Sequence, residues 1–443
     1  MSPSSSRQAR SAGSKGAAIL VAGILIHLVL FASLSLRFLN PFADDTTHRR
    51  GQGVDFYAVY QAGRNVLDGV SVYADKPEHF VVPYNYPYRY HPIVALTVGT
   101  AANAVTPAVA YTLWILLGEA LLLLNILLTR RLFSDPDRAN VGSALWLLFF
   151  PLYVELYMGQ FSFLMASLVF WTIILWERGK TPGGDLAWTG SLLVKSNTAL
   201  AVPVLVKLRR WKPIAAATGI VAVVSVPYFV LVPGSFQSFV GNIADPLTVP
   251  TIAGNQGFAA LVGIGWLRLG GLWPESIFEV TKELNELNAA LPLPVSVWSL
   301  AVLASALAVT VRARREDWIE LLVLWMVAYF LFYKHVWEHH YVMALPLFVV
   351  LFWRRGISAV SRAIPAWVFW TSFALAALPT AFIFIDKEQV LVDPEYYWGD
   401  AESLLFHLPK PLGMLLLFVS ISVALLRARS GQASQTPTDP ETT

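Results

Sequence analysis

The chain has 443 residues, of which 56% are hydrophobic and 14% are charged, with a formal net charge of +3. A mean hydropathy of +0.56 and repeated apolar runs long enough to cross a bilayer indicate a polytopic membrane protein. The small net charge argues against nucleic-acid binding, and the absence of cysteine excludes disulfides and thiolate chemistry.

Basic residues set the orientation of the first predicted spans. Residues 17–39 follow three basic residues and are not followed by a cleavage site, which predicts an uncleaved span with a cytoplasmic N-terminus. The next long segment, residues 107–128, ends at Arg130 and Arg131. Placing these arginines inside allows only one crossing after the first external loop. Residues 92–105 are therefore predicted to form a partial or interfacial helix.

The apolar segment at residues 186–206 carries Lys195 at its middle. Basic residues flank it on both sides, so a single crossing would place four of them outside. The charge pattern predicts a re-entrant pair of short helices instead, with Lys195 at the tip. An uncompensated lysine at this depth costs about 2.5 kcal/mol or more, so we expect an anionic partner, for which a lipid phosphate is one candidate.

The rest of the chain alternates in the same way. The other predicted spans are residues 141–158, 161–176, 213–233, 289–311, 318–333, 341–353, 364–385 and 411–426. We predict an all-α helical bundle of about 10–12 transmembrane helices with short re-entrant or interfacial helices. Residues 17–429 are predicted to form one membrane domain, with residues 40–91 as its first external loop. Residues 1–16 and 430–443 are polar and are predicted to be disordered cytoplasmic tails.

The predicted topology gathers polar side chains on the external side. They come from four separate connections and include Asp55, Arg64, Arg89, His91, Gln160, Asn255, Gln256, His335, Glu338, His339 and His340. Polar groups that share one side of a membrane protein commonly line one cavity, so a common site is predicted. Nucleotide-binding, nucleophile-elbow and zinc-protease motifs are absent from the sequence.

Asp55 opens a stretch in which Tyr57, Tyr60, Gln61 and Arg64 recur at helical spacing. A carboxylate in the first turn of a helix is kept ionised by the helix dipole. The residue is either a helix N-cap or a functional carboxylate, and spacing alone does not choose between them.

The histidines also have two interpretations. His339 and His340 follow an apolar segment and are either interfacial polar residues or part of the site. A metal site is the weaker interpretation, because only His335 and His339 have the i, i+4 spacing of helical ligands. No metal or cofactor is predicted.

The first external loop resembles that of glycosyltransferase family 87. The resemblance rests on Asp55-Phe56, Tyr60, Ala62-Gly63, Leu67, Gly69, Tyr73, Tyr86-Pro87 and Tyr90-His91-Pro92. It continues through Gly159-Gln160, Lys195, Asn255-Gln256 and Trp337-Glu338-His339-His340, nearly the full chain. Two positions depart from the family pattern: His91 replaces a proline, and Ser162 replaces an asparagine after Gly159-Gln160.

The resemblance implies a glycosyltransferase-C-type helical bundle that transfers a sugar from a polyprenyl-phosphate sugar to a lipid or glycan acceptor. Mannose is the first candidate for that sugar. The resemblance also implies an inverting, metal-independent reaction at the outer face of a bacterial plasma membrane, in contact with membrane lipids, with Asp55 as the catalytic base. His339 or His340 would contact the donor phosphate or assist the base. The other polar residues of the external side, with Tyr60 and Lys195, are the substrate-binding candidates.

Two other classes of protein remain open from the sequence. A flippase for a lipid-linked sugar would also need a polar cavity and a membrane lysine, and a structural subunit of an envelope-assembly complex is the third possibility. The polar residues lie on one side and no internal repeat is visible, which favours the enzyme.

Overall fold

The computed structural model describes residues 3–39, 52–74, 80–83, 86–248, 255–270, 292–379 and 407–433. Within these ranges all regular structure is helical. The helices are α1 (Pro3–Leu36), α2 (Val54–Leu67), α3 (Pro92–Ala102), α4 (Pro107–Arg130), α5 (Pro136–Leu147), α6 (Pro151–Met158), α7 (Ser162–Glu177), α8 (Thr181–Val194), α9 (Val202–Lys207), α10 (Trp211–Leu231), α11 (Ser235–Thr248), α12 (Phe258–Leu269), α13 (Pro292–Arg312), α14 (Trp318–Phe332), α15 (Leu345–Arg354), α16 (Ala359–Ala363), α17 (Ala366–Ala377) and α18 (Pro409–Ala433).

The prediction of an all-α polytopic membrane protein is confirmed. Five of the described helices are long and apolar enough to cross a membrane: α1, α4, α10, α13 and α18. The pair α5 and α6, bent by 44°, is a sixth candidate, and α3, α7, α14 and α17 are shorter apolar helices. The spans predicted from the sequence therefore include helices that are short for a complete crossing.

Helix α14 lies at the centre of the bundle. Every residue from Ile319 to Leu331 is buried, so the helix is covered on all sides. A helix that is apolar around its whole circumference needs this environment, because it has no face suited to water. The large side chains Trp146, Phe170, Phe330 and Phe348 fill the surrounding core.

The predicted hairpin around Lys195 is present. Helix α8 ends at Val194, Lys195 has extended backbone, and a 3-10 turn, Ser196–Ala201, leads into α9. Arg210, just after α9, lies 2.6 Å from Asp185 in the first turns of α8. The chain therefore returns to the end of the bundle from which it started, as the flanking basic residues predicted.

Basic residues meet at one end of the bundle. There Arg354 pairs with Glu177 and Glu320 at 3.0 and 3.1 Å, and Arg138 donates a hydrogen bond to the Phe352 carbonyl. Because α7 ends at Glu177 and begins at Ser162, its first residues lie at the opposite end. The candidate site is at that opposite end.

The structure differs from the sequence-based boundaries at both tails. Helix α1 begins at Pro3 and α18 ends at Ala433, so helix enters both of the ranges predicted to be disordered. A long apolar helix extends into neighbouring residues at little cost, because each added residue gains a backbone hydrogen bond without a new nucleation step. The division into tails and one membrane domain stays a prediction. Residues 40–51, 75–79, 271–291 and 380–406, which include much of the predicted external loops, lie outside the described residues.

Candidate active site

The start of α2 is fixed to the end of α6. The Gly53 N–H donates to the Tyr157 carbonyl at 2.8 Å, and the Tyr111 hydroxyl donates to the Leu156 and Tyr157 carbonyls at 2.9 Å. Gly53, with φ +84°, occupies the N-cap position. Asp55 therefore lies inside the first turn of α2, not at its cap, and its side chain is only 6% exposed.

Helix α2 crosses α3 at two glycines. A Cβ atom on Gly63 would lie 2.0 Å from the Gly99 carbonyl carbon, and one on Gly99 would lie 2.6 Å from the Val59 oxygen. Gly99 closes a π-helical segment, Ala95–Gly99, inside α3. The two backbones touch, so the position of α2 and of Asp55 depends on the absence of these side chains.

Lys195 reaches into the site from the tip of its hairpin. Its Nζ atom donates to Gln160 Oε1 at 2.8 Å and to Ser162 Oγ at 2.6 Å. The Tyr90 hydroxyl donates to the same Gln160 oxygen at 3.1 Å, and its ring lies 5.9 Å from the ammonium group. The predicted residues Gln160 and Lys195 are therefore in direct contact.

Glu155 adds a second carboxylate that the sequence analysis did not place in the site. It is 1% exposed, and its Oε1 accepts a hydrogen bond from the Phe163 N–H at 2.7 Å, at the start of α7. Its Oε2 has no hydrogen-bond partner among the described residues. Both Glu155 and Asp55 interact electrostatically with Lys195, so one cation and two carboxylates share a buried region. The sequence does contain a signal for this residue, because an acidic side chain within an apolar helix indicates a functional site.

A second group of predicted residues follows α14. Asn255 accepts hydrogen bonds from the Gly257 and Val336 N–H groups at 3.0 and 3.2 Å and donates to the Lys334 carbonyl. The Gln256 N–H donates to the Val336 carbonyl at 2.6 Å. This pair therefore fastens the segment that precedes the histidines.

The histidines lie on a 3-10 helix, Glu338–Ala344, which is held by a lysine from α18. Lys410 is fully buried; its Nζ lies 3.3 Å from Glu338 Oε1 and donates to the Ala376 carbonyl at 2.8 Å. The Lys410 ammonium also lies 5.4 Å from the Tyr341 ring. No local sequence pattern indicates this lysine, because its partner Glu338 is more than 70 residues away.

The pKa values of two histidines are lowered. Burial, with the nearby charges of Lys334 and Arg89, lowers the pKa of His335 to about 4. Burial, followed by the effects of His339 and Lys195, lowers the pKa of His340 well below its ordinary value. Both imidazoles are therefore neutral at neutral pH and offer hydrogen bonds, not positive charge.

Three predicted residues have their contacts elsewhere. Arg64 makes an exposed ion pair with Asp68 at 3.0 Å. The Tyr60 hydroxyl donates to the Val105 carbonyl at 2.9 Å, and His91 Nδ1 lies 3.3 Å from Ser225 Oγ. Their role in substrate binding stays a prediction. Among the described residues, no group of three or more His, Asp or Glu side chains is arranged to hold a metal.

The fold and the site define a polytopic membrane protein with a partly buried lysine and two buried acidic residues at one end of its helical bundle. The family model of glycosyltransferase family 87 matches residues 88–333, more than half of the chain. The chain belongs to glycosyltransferase family 87 and is a glycosyltransferase. The comparison with curated proteins gives no match. The matched range includes Gln160, Lys195 and Asn255, whereas Asp55 and His339 lie outside it.

Proposed function

We propose that this glycosyltransferase transfers a sugar from a polyprenyl-phosphate donor to a lipid or glycan acceptor, with mannose as the first candidate sugar. The transfer takes place on the extracytoplasmic side of a bacterial plasma membrane. One observation carries the proposal. A partly buried lysine, oriented by Gln160 and Ser162, lies in the same region as two buried acidic residues. A phosphate-linked sugar needs a cation for the leaving phosphate and a base for the acceptor.

Asp55 is proposed as the base. The acceptor hydroxyl oxygen attacks the anomeric carbon and forms the new glycosidic bond while its proton passes to the Asp55 carboxylate. The bond between the anomeric carbon and the phosphate oxygen breaks, and its electron pair leaves with the polyprenyl phosphate. Attack opposite the leaving group inverts the configuration at that carbon.

Lys195 is proposed to bind the donor phosphate. An ammonium group has three N–H donors, of which Gln160 and Ser162 take two. The third has no partner among the described residues and suits a phosphate oxygen. When no donor is bound, the Asp55 carboxylate, which interacts electrostatically with Lys195, offsets the charge of the ammonium group.

The uncharged polar groups support a ligand rich in hydroxyls. The His335 Nδ1 atom is buried and has no hydrogen-bond partner among the described residues. Tyr333 and His335 both interact electrostatically with Arg89, so these groups belong to one region. Unpaired buried polar atoms are costly, and a bound sugar would satisfy them.

The proposal is tested with purified protein in lipid nanodiscs. Radiolabelled polyprenyl-phosphate sugars are offered with a panel of lipid and glycan acceptors, and label in the acceptor is measured. Transfer by the wild type and its loss in Asp55→Asn are expected. If no donor yields transfer while labelled lipid moves between leaflets at the same rate in both proteins, the flippase interpretation replaces the enzyme.

A further inference from the structure

Three side chains form a cluster at the end of the bundle opposite the candidate site. Asp185 Oδ1 accepts a hydrogen bond from the Trp176 indole at 2.8 Å and one from Arg210 Nη2 at 2.6 Å. The Arg210 guanidinium lies 4.4 Å from the centre of the Trp176 ring. We call this cluster, Trp176, Asp185 and Arg210, the basal clasp. It ties together α7, α8 and the turn that follows α9.

The backbone leading to Arg210 is strained. Arg209 has φ +59°, one of two non-glycine residues with positive φ among those described. The Arg209 N–H donates to the Val206 carbonyl and the Arg210 N–H to the Leu205 carbonyl, both at 2.9 Å. These are the hydrogen bonds of a Schellman turn, which glycine normally provides. A side chain is accommodated here, and the turn directs the next residue to Asp185.

The clasp and the site hold opposite ends of the same pair of helices. Lys195 at the tip contacts Ser162, the first residue of α7, whereas Asp185 near the base contacts Trp176, close to its last residue. These two contacts on α7 are about 21 Å apart, given a rise of ~1.5 Å per residue. The hairpin is therefore fixed at two heights along one helix.

We propose that the basal clasp sets the height of the hairpin, and with it the position of the Lys195 ammonium in the site. A slip of α8 by one turn, about 5.4 Å, would carry Lys195 away from both Gln160 and Ser162. Asp185 and Arg210 are then positioning residues that act through Lys195 without touching substrate. The kinetic consequence of this inference rests on the proposed function of Lys195.

The clasp is suited to separate mutation because it is only partly buried. The Arg210 and Asp185 side chains are 23% and 28% exposed. An ion pair with this exposure adds little to global stability, so its removal is compatible with a folded protein. Its effect is expected in the placement of the hairpin.

The first test measures the height of the hairpin without any catalysis. The sequence has no cysteine, so Ser196→Cys, an exposed position at the tip, is a single reporter. Its rate of modification by a membrane-impermeant maleimide is measured in nanodiscs, in the otherwise native chain and with Asp185→Ala. A change of at least about threefold is expected. The exchanged pair Asp185→Arg/Arg210→Asp should restore the original rate, because it keeps both charges.

The controls use residues beside the clasp. Lys212→Ala removes an exposed basic residue two positions from Arg210, and Arg209→Gly relieves the backbone strain; neither should change the modification rate. If Asp185→Ala is not recovered as folded protein, Arg210→Met removes the ion pair and leaves the bond between Trp176 and Asp185. An unchanged modification rate in the recovered variant overturns the inference.

The second test uses donor kinetics. With the clasp removed, the KM for the polyprenyl-phosphate sugar should rise about tenfold with kcat changed less than about threefold, and the exchanged pair should restore it. If removal of the clasp changes the modification rate but leaves the donor KM constant, the inference about the clasp is supported and the proposed role of Lys195 is contradicted. Failure of the inference and failure of the proposed function are thus distinguished.

Discussion

At the scale of single residues, the position of Asp55 bears on whether it is a helix cap or a catalytic base. The N-cap of α2 is Gly53, and Asp55 follows it inside the helix with its side chain buried. A buried carboxylate close to Lys195 and Tyr90 is more useful for accepting a proton than for starting a helix.

We expect Asp55→Asn to insert and fold normally, to bind donor with near-native affinity, and to transfer sugar at least about a hundredfold more slowly, since asparagine keeps the oxygen and loses the basicity. Asp55→Glu should also be slow, because an error of about 1 Å in the position of a reacting group costs on the order of 10²-fold. Single-turnover rates with radiolabelled donor measure both. Asp68→Asn, at an exposed position just after the same helix, is the matched control. Turnover of Asp55→Asn within a few-fold of wild type would assign the base elsewhere.

The ammonium of Lys195 leads to a second expectation. Lys195→Ala should raise the donor KM or lower kcat by about 10²-fold, as expected for loss of a charge-assisted hydrogen bond to phosphate. Lys195→Arg should retain part of the activity, because it keeps the charge and changes the geometry. Steady-state kinetics with varied donor provide the measurement, with Lys212→Ala as an exposed control. Native donor kinetics in Lys195→Ala would make this lysine structural.

The low pKa of His335 predicts acid sensitivity. The folded protein holds this imidazole neutral down to about pH 4, whereas an unfolded histidine binds a proton near pH 6.5. Stability from this residue is therefore complete above pH 6.5 and is lost as the pH falls toward 4, by roughly 2 kcal/mol at pH 5. The melting temperature in detergent should fall less between pH 7.5 and pH 5 in His335→Gln than in wild type. Equal decreases in the two proteins would contradict this prediction.

At the scale of helices, the crossing of α2 and α3 controls the site from a distance. Gly63→Ala places a methyl group against the backbone of Gly99, which cannot move aside as a flexible side chain would. We expect a loss of about 1–3 kcal/mol of stability, as is typical of overpacking, together with reduced transfer. Thermal melting and activity are measured beside Gly219→Ala, where the added Cβ meets no atom within 4 Å. Equal stability of the two variants would argue against a tight crossing.

Helices were predicted well where a single pattern determines them. The hairpin around Lys195 followed from basic residues on both of its flanks, and the partial helix α3 followed from its length. Both signals are local in the sequence. The bend between α5 and α6 instead involves a contact between the Phe150 N–H and the Ala377 carbonyl, 227 residues later, which no local pattern contains.

The site was predicted only in part, because some of its contacts join residues that are far apart in the sequence. Topology brought Gln160 and Lys195 to one end of the bundle, and they are in contact. It did not identify Glu155 or Lys410, whose importance depends on distances to residues on other helices. Arg64 was predicted to line the site, but it makes an exposed ion pair with Asp68. Helical spacing does not show which face of α2 meets the site.

At the scale of the whole molecule, the proposed orientation gives a direct expectation. Cysteine at Asp68, an exposed position just after α2, should be labelled from outside intact cells by an impermeant maleimide. Cysteine at Lys212, exposed after the hairpin, should be labelled only after the cells are opened. The positive-inside pattern is the physical reason. Labelling of the Lys212→Cys variant in intact cells would require the hairpin to be a complete crossing.

The hairpin that carries Lys195 also constrains how the protein is made. It leaves the bundle at the end where it entered, and α8, with 14 residues, is shorter than the roughly 20 needed to span a bilayer. A lysine at the tip of such a hairpin costs about 2.5–3.5 kcal/mol when the insertion machinery passes it to lipid. Taken alone, the segment would stay at the surface where it was synthesised. We therefore expect it to enter only after α7 and the later helices have formed a polar place for its ammonium group, so that Lys195 is one of the last groups to be placed during assembly.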